Sequence, residues 1–276
     1  MNSLNRITVA GILIFAGCSP QIQKPVRNCP GWKSVPEALS SLKARSEDML
    51  PVKASGDCHL RYYSEGKKYD ENFPVKLWIN PPDEIYLQGD VAFNPKGVIL
   101  GSNKNEFWLS VRLKEVDSYW WGRWDERGGD KTLKINPKML LDAIGITDIG
   151  GEQNWSLSNQ AGFSVLTGKD EQNSIIKKIY VSGCTFLISK IEYLDTNSGA
   201  AVVVEVNNYE KVSNNFSVPT SIKISRQPED KSEGWVSTTL DLKSVRRANL
   251  TEEQQRLLFT RPEPEGFKHV YKIGEK

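Results

Sequence analysis

The sequence predicts a mainly β domain with helical additions, an α+β chain built on one large curved antiparallel sheet. Three observations carry that expectation. Short apolar runs alternate with polar residues at a period of two from Val52 almost to the C-terminus. Turns rich in proline, glycine and asparagine separate them, and no internal repeat or second linker divides the chain. The helical period is confined to three stretches, each opened by a helix-start pattern. With 276 residues, 38% hydrophobic and 25% charged, one sizeable core is within reach. The 36 basic and 34 acidic side chains are spread through the chain, so no basic patch or acidic tail marks a nucleic-acid partner.

Taken in order, Met1–Arg6 carries one positive charge, Ile7–Phe15 is an apolar run too short to span a bilayer, and Ala16-Gly17-Cys18 follows. This resembles a bacterial lipoprotein signal peptide, with Phe15 standing where leucine is usual. The resemblance implies that residues 1–17 are removed and that Cys18 is lipidated and tethers the rest to a membrane. An ordinary secretory signal with Cys18 incidental is the other reading. Ser19 follows Cys18 where an aspartate would signal inner-membrane retention, which favours the outer membrane facing the periplasm over the inner membrane or cell surface. Residues 18–33, with Pro20, Pro25 and Pro30, read as an extended tether, and 34–276 as the folded domain.

The first helix opens on Ser34-Val35-Pro36-Glu37, a capping box with proline in the first turn. Val35, Leu39, Leu42 and Met49 form its apolar stripe. Val52, Ala54, Gly56, Cys58, Leu60 and Tyr62 then alternate along a long strand closed by Ser64-Glu65-Gly66. A meander follows. Phe73, Val75, Leu77 and Ile79 share one parity, as do Ile85 and Leu87, and Phe107, Leu109 and Val111. Trp78, Tyr86 and Trp108 occupy the opposite parity, so the second face of this part of the sheet also meets something apolar. Asn80–Asp83 and Asn94–Gly97 read as its loops. Ser118–Trp124, SYWWGRW, fits neither period; core packing and a membrane- or ligand-facing cluster are both open readings.

Asn136-Pro137-Lys138 opens a second helix with Leu140, Ala143 and Ile144 on one face and Gly145 as its stop, placed to act as a lid. Strand patterns resume at Trp155–Leu157, Phe163–Thr167, Ile175–Val181, Phe186–Tyr193, Ala201–Val206, Ser217–Ile224 and Trp235–Leu242. The count is about eleven strands in all. Thr251-Glu252-Glu253-Gln254 caps a third helix ending near Phe259, and Phe267–Ile273 is an edge strand or a tail.

This order of elements resembles the LolA/LolB-like superfamily. The match runs from Ser34 to Leu242 and is best over Ala38–Tyr62, Pro74–Ile79 and Ile85–Gly89. The resemblance implies a half-barrel sheet covered by a helical lid that holds acyl chains of lipids or lipoproteins. The lipidation motif agrees with the anchored receptors of that superfamily and departs from its soluble carriers. The implied role is binding in outer-membrane lipoprotein localisation; the alternative is an envelope sensor whose half-barrel binds a protein partner. Candidate ligand-lining residues are Leu77, Ile79, Ile85, Leu87, Leu109, Val111, Leu140 and Ile144.

Chemistry-bearing motifs are scarce. Histidine occurs only at 59 and 269, and metalloprotease, nucleophile-elbow, phosphate-loop and C-x-x-C patterns are missing. The expectation is a non-enzyme without cofactor or metal, although plentiful carboxylates leave a glycan hydrolase as a minor reading. Cys58 and His59 point to opposite faces of their strand and make no site. With Cys18 assigned to lipid, Cys58 and Cys184, both in predicted strands, are the candidate disulfide, against free thiols throughout.

Overall fold

The computed structural model describes residues 29–92, 94–125, 136–147, 149, 154–170, 175–194, 202–226 and 234–274. The expected signal at residues 1–17 and the expected lipidation site Cys18 lie outside these residues. The elements begin with helix α1 (Val35–Glu47), followed by strands β1 (Val52–Ser64), β2 (Lys67–Asn80), β3 (Glu84–Val91), β4 (Asn94–Ser102), β5 (Glu106–Arg112) and β6 (Asp117–Arg123). Helix α2 (Pro137–Ile144) separates these from β7 (Trp155–Gln160), β8 (Phe163–Lys169), β9 (Ile175–Ser182), β10 (Ile188–Tyr193), β11 (Val202–Lys211), β12 (Ser217–Arg226) and β13 (Gly234–Arg247). Helix α3 (Glu252–Phe259) and strand β14 (His269–Ile273) finish the chain.

The fourteen strands among the described residues form one open sheet in the order β14-β6-β5-β4-β3-β2-β1-β13-β12-β11-β10-β9-β8-β7. Neighbours are antiparallel except β14, which runs parallel to β6. Two sequential meanders are thus joined at β1 and β13. The expected strand count was too low for identifiable reasons. Asn94–Gly97, expected as a loop, begins β4, because the chain reverses at Ala92 and Val91 already pairs with Asn94. SYWWGRW is mostly β6, its alternation hidden because both faces bear aromatics.

One face is continuously apolar. Cross-strand pairing carries it through Leu157, Leu166, Ile179, Ile191, Val204 and Ile224 on one wing. Leu240, Cys58 and Phe73 continue it at the centre, and Leu77, Leu87, Leu100, Leu109 and Trp120 on the other wing. The sheet curls towards this face. Register shifts at Ser55/Gly56 and Arg61/Tyr62 bend the central strand, as bulges do. Only glycine fits at 56, where a Cβ would stand 2.1 Å from the Asp241 carbonyl oxygen.

The aromatic second face of the β2–β6 wing has a cover: the chain after β13. Trp78, Tyr86, Gly101, Trp108 and Trp121 lie in one cross-strand row, and Gly101 leaves room for the Trp108 ring, which a Cβ would meet at 2.3 Å. Over this row runs a strap of α3 and the residues up to β14. Asn103 Nδ2 donates to the Phe259 carbonyl at 2.9 Å, Tyr119 Oη to that of Pro262 at 2.7 Å, and Arg112 to that of Glu265 at 2.6 Å. Arg261 bonds Glu106 at 2.9 Å and lies over the Trp121 ring at 4.2 Å. Trp108 and Tyr119 are fully buried beneath it. The SYWWGRW cluster therefore divides: Tyr119 and Trp121 face the strap, whereas Trp120 joins Phe107, Leu109, Trp124 and Ile273 on the inner side.

The expected disulfide is corrected. Cys184 pairs with Cys29, with Cα atoms 5.0 Å apart, and Cys58 is a buried free thiol. Cys58 points from β1 into the core between Phe73 and Leu240 in register, where burial pushes its thiol up to about 12. Cys184 lies in the β9–β10 turn and not in a strand, within reach of the N-terminal segment. Residues 29–33, expected as the end of a tether, are instead part of the fold. Trp32 is buried, its N–H donates to Ser164 Oγ at 3.0 Å, and its carbonyl accepts from Asn159 Nδ2 at 2.8 Å.

Candidate functional site

The trough of the curled sheet is the candidate site, and α2 sits in it. Asn136 caps the helix by accepting from the Lys138 N–H at 2.8 Å, and Gly145 ends it at φ 106°. Between them, Met139, Leu140, Leu141, Ala143 and Ile144 are all buried. The helix touches β4 on one side and β10, β11 and β12 on the other, strands separated along the sheet by β3, β2, β1 and β13. A flat sheet cannot touch one eight-residue helix from both sides in this way. Helix α1 covers one end of the trough, burying Ala38, Leu39 and Leu42 and reaching β7.

The residues nominated from sequence gather on this face. Leu77 pairs with Leu87 and Ile79 with Ile85, and these four, together with Leu140 and Ile144 of α2, are buried in one apolar cluster. Leu109 and Val111 lie on the same face further towards β6, only partly buried and packed against that cluster. The cluster also holds Leu166, Ile179, Ile191, Val204, Ile222 and Leu240 from the other wing, which sequence reasoning did not nominate.

A buried carboxylate interrupts it. Asp142 on α2, 1% exposed, accepts from Lys177 Nζ at 2.6 Å and from the Tyr193 hydroxyl. Lys177 and Tyr193 are paired neighbours on β9 and β10, in phase with Ile179 and Ile191 and therefore on the inner face. Burial, and secondarily the Asp142 charge, hold the Tyr193 phenol well above its ordinary pKa. The second carboxylate oxygen of Asp142 is buried without a hydrogen-bond partner among the described residues. An ion pair removed from water offsets its desolvation only in good geometry, but it specifies one arrangement. Here it fixes where α2 sits on the sheet. The signal was present in the sequence as a lone carboxylate inside the apolar run Met139–Ile146.

A second polar fastening holds α1. Arg45 donates to the Ser217 carbonyl at 3.1 Å and the Phe186 carbonyl at 3.4 Å and lies 5.6 Å from the Tyr209 ring. Burial lowers the Arg45 pKa and pushes the Tyr209 phenol up to about 12. His59 turns outward and meets Asp70, on the face opposite Cys58. Among the described residues no three of His, Cys, Asp and Glu come together.

No protein-family model matches the chain, and no curated protein matches its sequence. Solved structures do match. A domain classed with outer membrane lipoprotein-sorting proteins, from Vibrio parahaemolyticus, is similar at a TM-score of 0.51 and 15% identity, over 81% of this chain and 95% of the other. A LolA superfamily protein from Nitrosomonas europaea has a TM-score of 0.48 at 13% identity, over 81% and 97% respectively. At such identity the likeness is one of fold alone, and the fold of this chain is an open half-barrel sheet with helices in its trough.

Proposed function

We propose that this chain is a non-catalytic lipoprotein of the cell envelope, anchored through Cys18 to the outer membrane. Its half-barrel takes up acyl chains of lipids or lipoproteins between the sheet and α2. The role is in outer-membrane lipoprotein localisation. The observation that carries this reading is the apolar inner face running across the described strands and curling round helix α2. A core that only needed filling would be served by an all-apolar α2, whereas this helix is held by one polar pair at Asp142 and Lys177. Displacing α2 exposes a hydrocarbon-lined trough, and transfer of acyl carbon into it gains about 0.8 kcal/mol per methylene.

One observation favours a second reading. Six of the nominated lining residues, Leu77, Ile79, Ile85, Leu87, Leu140 and Ile144, are closed off from solvent. A half-barrel that stays closed suits an envelope protein that binds a protein partner on its surface. Native mass spectrometry of the full chain extracted from membranes separates the two. The expected result is co-purifying acyl species, reduced several-fold by Ile144→Trp, which adds bulk between α2 and the sheet where an acyl chain would enter. A protein with no acyl adduct, in the wild type and in a Lys177→Met variant with α2 loosened, overturns lipid binding.

A further inference from the structure

Six large apolar side chains are exposed among the described residues, and two of them share one corner of the sheet. Phe163 begins β8 and is 38% exposed, and Phe186 crowns the β9–β10 turn at 40%. The corner is a single rigid piece. Phe163 pairs with Ser182, the Gly183 N–H donates to the Gly162 carbonyl at 2.8 Å, and Phe186 stacks on Trp32 with ring centroids 5.5 Å apart. Cys29 is bound here through Cys184, two residues before Phe186. The chain towards the N-terminus therefore leaves the fold at this corner.

The exit point matters because the remaining connection is short. Cys29 lies eleven positions after Cys18. At no more than ~3.6 Å per residue, that chain reaches about 40 Å. The disulfide and the buried Trp32 take up residues that would otherwise lengthen the connection. An acylated Cys18 thus keeps this corner, where the chain leaves the fold, within about 40 Å of the bilayer.

Resting on the reading of Cys18 as the lipid anchor, we propose that the corner formed by Phe163 and Phe186 is a second membrane contact, seated in the bilayer interface beside the anchor. Aromatic rings favour that zone, and preformed rings on a rigid corner lose little freedom on entering it. Helix α1, whose Arg45 reaches the Phe186 carbonyl, and its N-terminal flank carry mixed exposed charges, Lys33 and Lys43 with Glu37 and Glu47, so apolar contact and not net charge drives the seating. The contact orients the half-barrel, placing the β7–β10 wing next to the lipid and the β14 edge away from it.

The test is hydrogen exchange on the full mature chain in vesicles of phosphatidylethanolamine and phosphatidylglycerol, compared with a soluble Cys18→Ala variant. The expected result is exchange slowed by about tenfold at residues 161–164 and 183–187 on the vesicle and unchanged at 269–273. Combined Phe163→Ser and Phe186→Ser returns the corner to the soluble rate, with an unreduced mass showing that Cys29–Cys184 still forms. Tyr271→Ser, at a more exposed ring on the opposite edge, leaves the corner protected. An acylated chain with an unprotected corner, or with protection moved to β14, overturns the inference alone. An unacylated amino terminus in the mass spectrum removes its premise and overturns both.

Discussion

The two wings of the sheet share an inner face but differ on the outside. On β9–β13 the outward residues are charged and satisfy one another in water. Lys190 bonds Glu192 at 2.8 Å, Tyr180 bonds the same carboxylate at 3.0 Å, Lys223 bonds Glu205 at 3.0 Å, and Ser221 bonds Asp241 at 2.9 Å. On β2–β6 the outward residues include Trp78, Tyr86, Trp108 and Tyr119, and the chain from Ala248 to Phe267 lies over them. Alternation alone cannot say what covers a two-sided apolar strand; it says only that a cover exists. In this chain the cover comes from sequence more than a hundred residues later and includes only one short helix. The wet wing has its own fastening, at one corner, where residues 29–33 and the disulfide bind β8 and the β9–β10 turn.

Removing a ring from the covered wing is the largest perturbation of this contrast. Trp108→Ala should cost about 3–5 kcal/mol of stability in urea unfolding and release the strap, seen as faster proteolysis after Phe259. Cutting the fastening of the wet wing comes next. Cys184→Ser should cost roughly 2–4 kcal/mol, because the bond closes a loop of 155 residues, while leaving the strap intact. A single loss of equal size from either change on both wings, in site-resolved exchange, would show that the wings do not act separately.

Alkaline titration probes the seam between the wings. Folded Cys58 keeps its proton until about 12, against an ordinary value of 9.0, and burial likewise pushes the Tyr119 phenol on the covered wing and the Tyr209 phenol on the wet wing up to about 12. The unfolded chain therefore releases these protons at lower pH than the folded one, so stability falls as pH rises from about 9 through about 12. The loss should shrink in Cys58→Ala, and a thiol reagent at pH 8 should label the wild type only after unfolding. The smallest effect belongs to the wet surface. Glu205→Ala removes an ion pair whose partners are half exposed and should change stability by about 0.5 kcal/mol or less.

Much of the fold was legible from local signals. The capping pattern at Thr251 appears intact, with both reciprocal bonds formed. That at Ser34 differs by one residue, because Glu37 accepts from the Lys33 N–H and not from that of Ser34. The parity of Leu77, Ile79, Ile85 and Leu87 gave the inner face correctly, since a period of two fixes which residues travel together. Partners distant in sequence were not legible. Nothing local pairs Cys29 with Cys184, seats Asp142 on Lys177, or lays Pro262 over Tyr119, because each depends on how the sheet curls and where the chain returns. The strands at Asn94 and Asp117 were obscured by proline, glycine and aromatics on both faces.

The pairing of β1 with β13 has a consequence for assembly in time. Val52 meets Arg247 and Tyr62 meets Trp235, so the seam at the centre of the sheet joins residues near the two ends of the domain. Pairings such as β3 with β4 and β8 with β9 join neighbours across short turns and close with little loop entropy, whereas the seam waits for nearly the whole chain. The two meanders can form on their own clocks and meet last, with α2 waiting on both. In pulse-labelled exchange during refolding, β1 amides facing β13 should gain protection after those of β3–β4 and β8–β9. Simultaneous protection of all three would show that the seam forms with the wings and not after them.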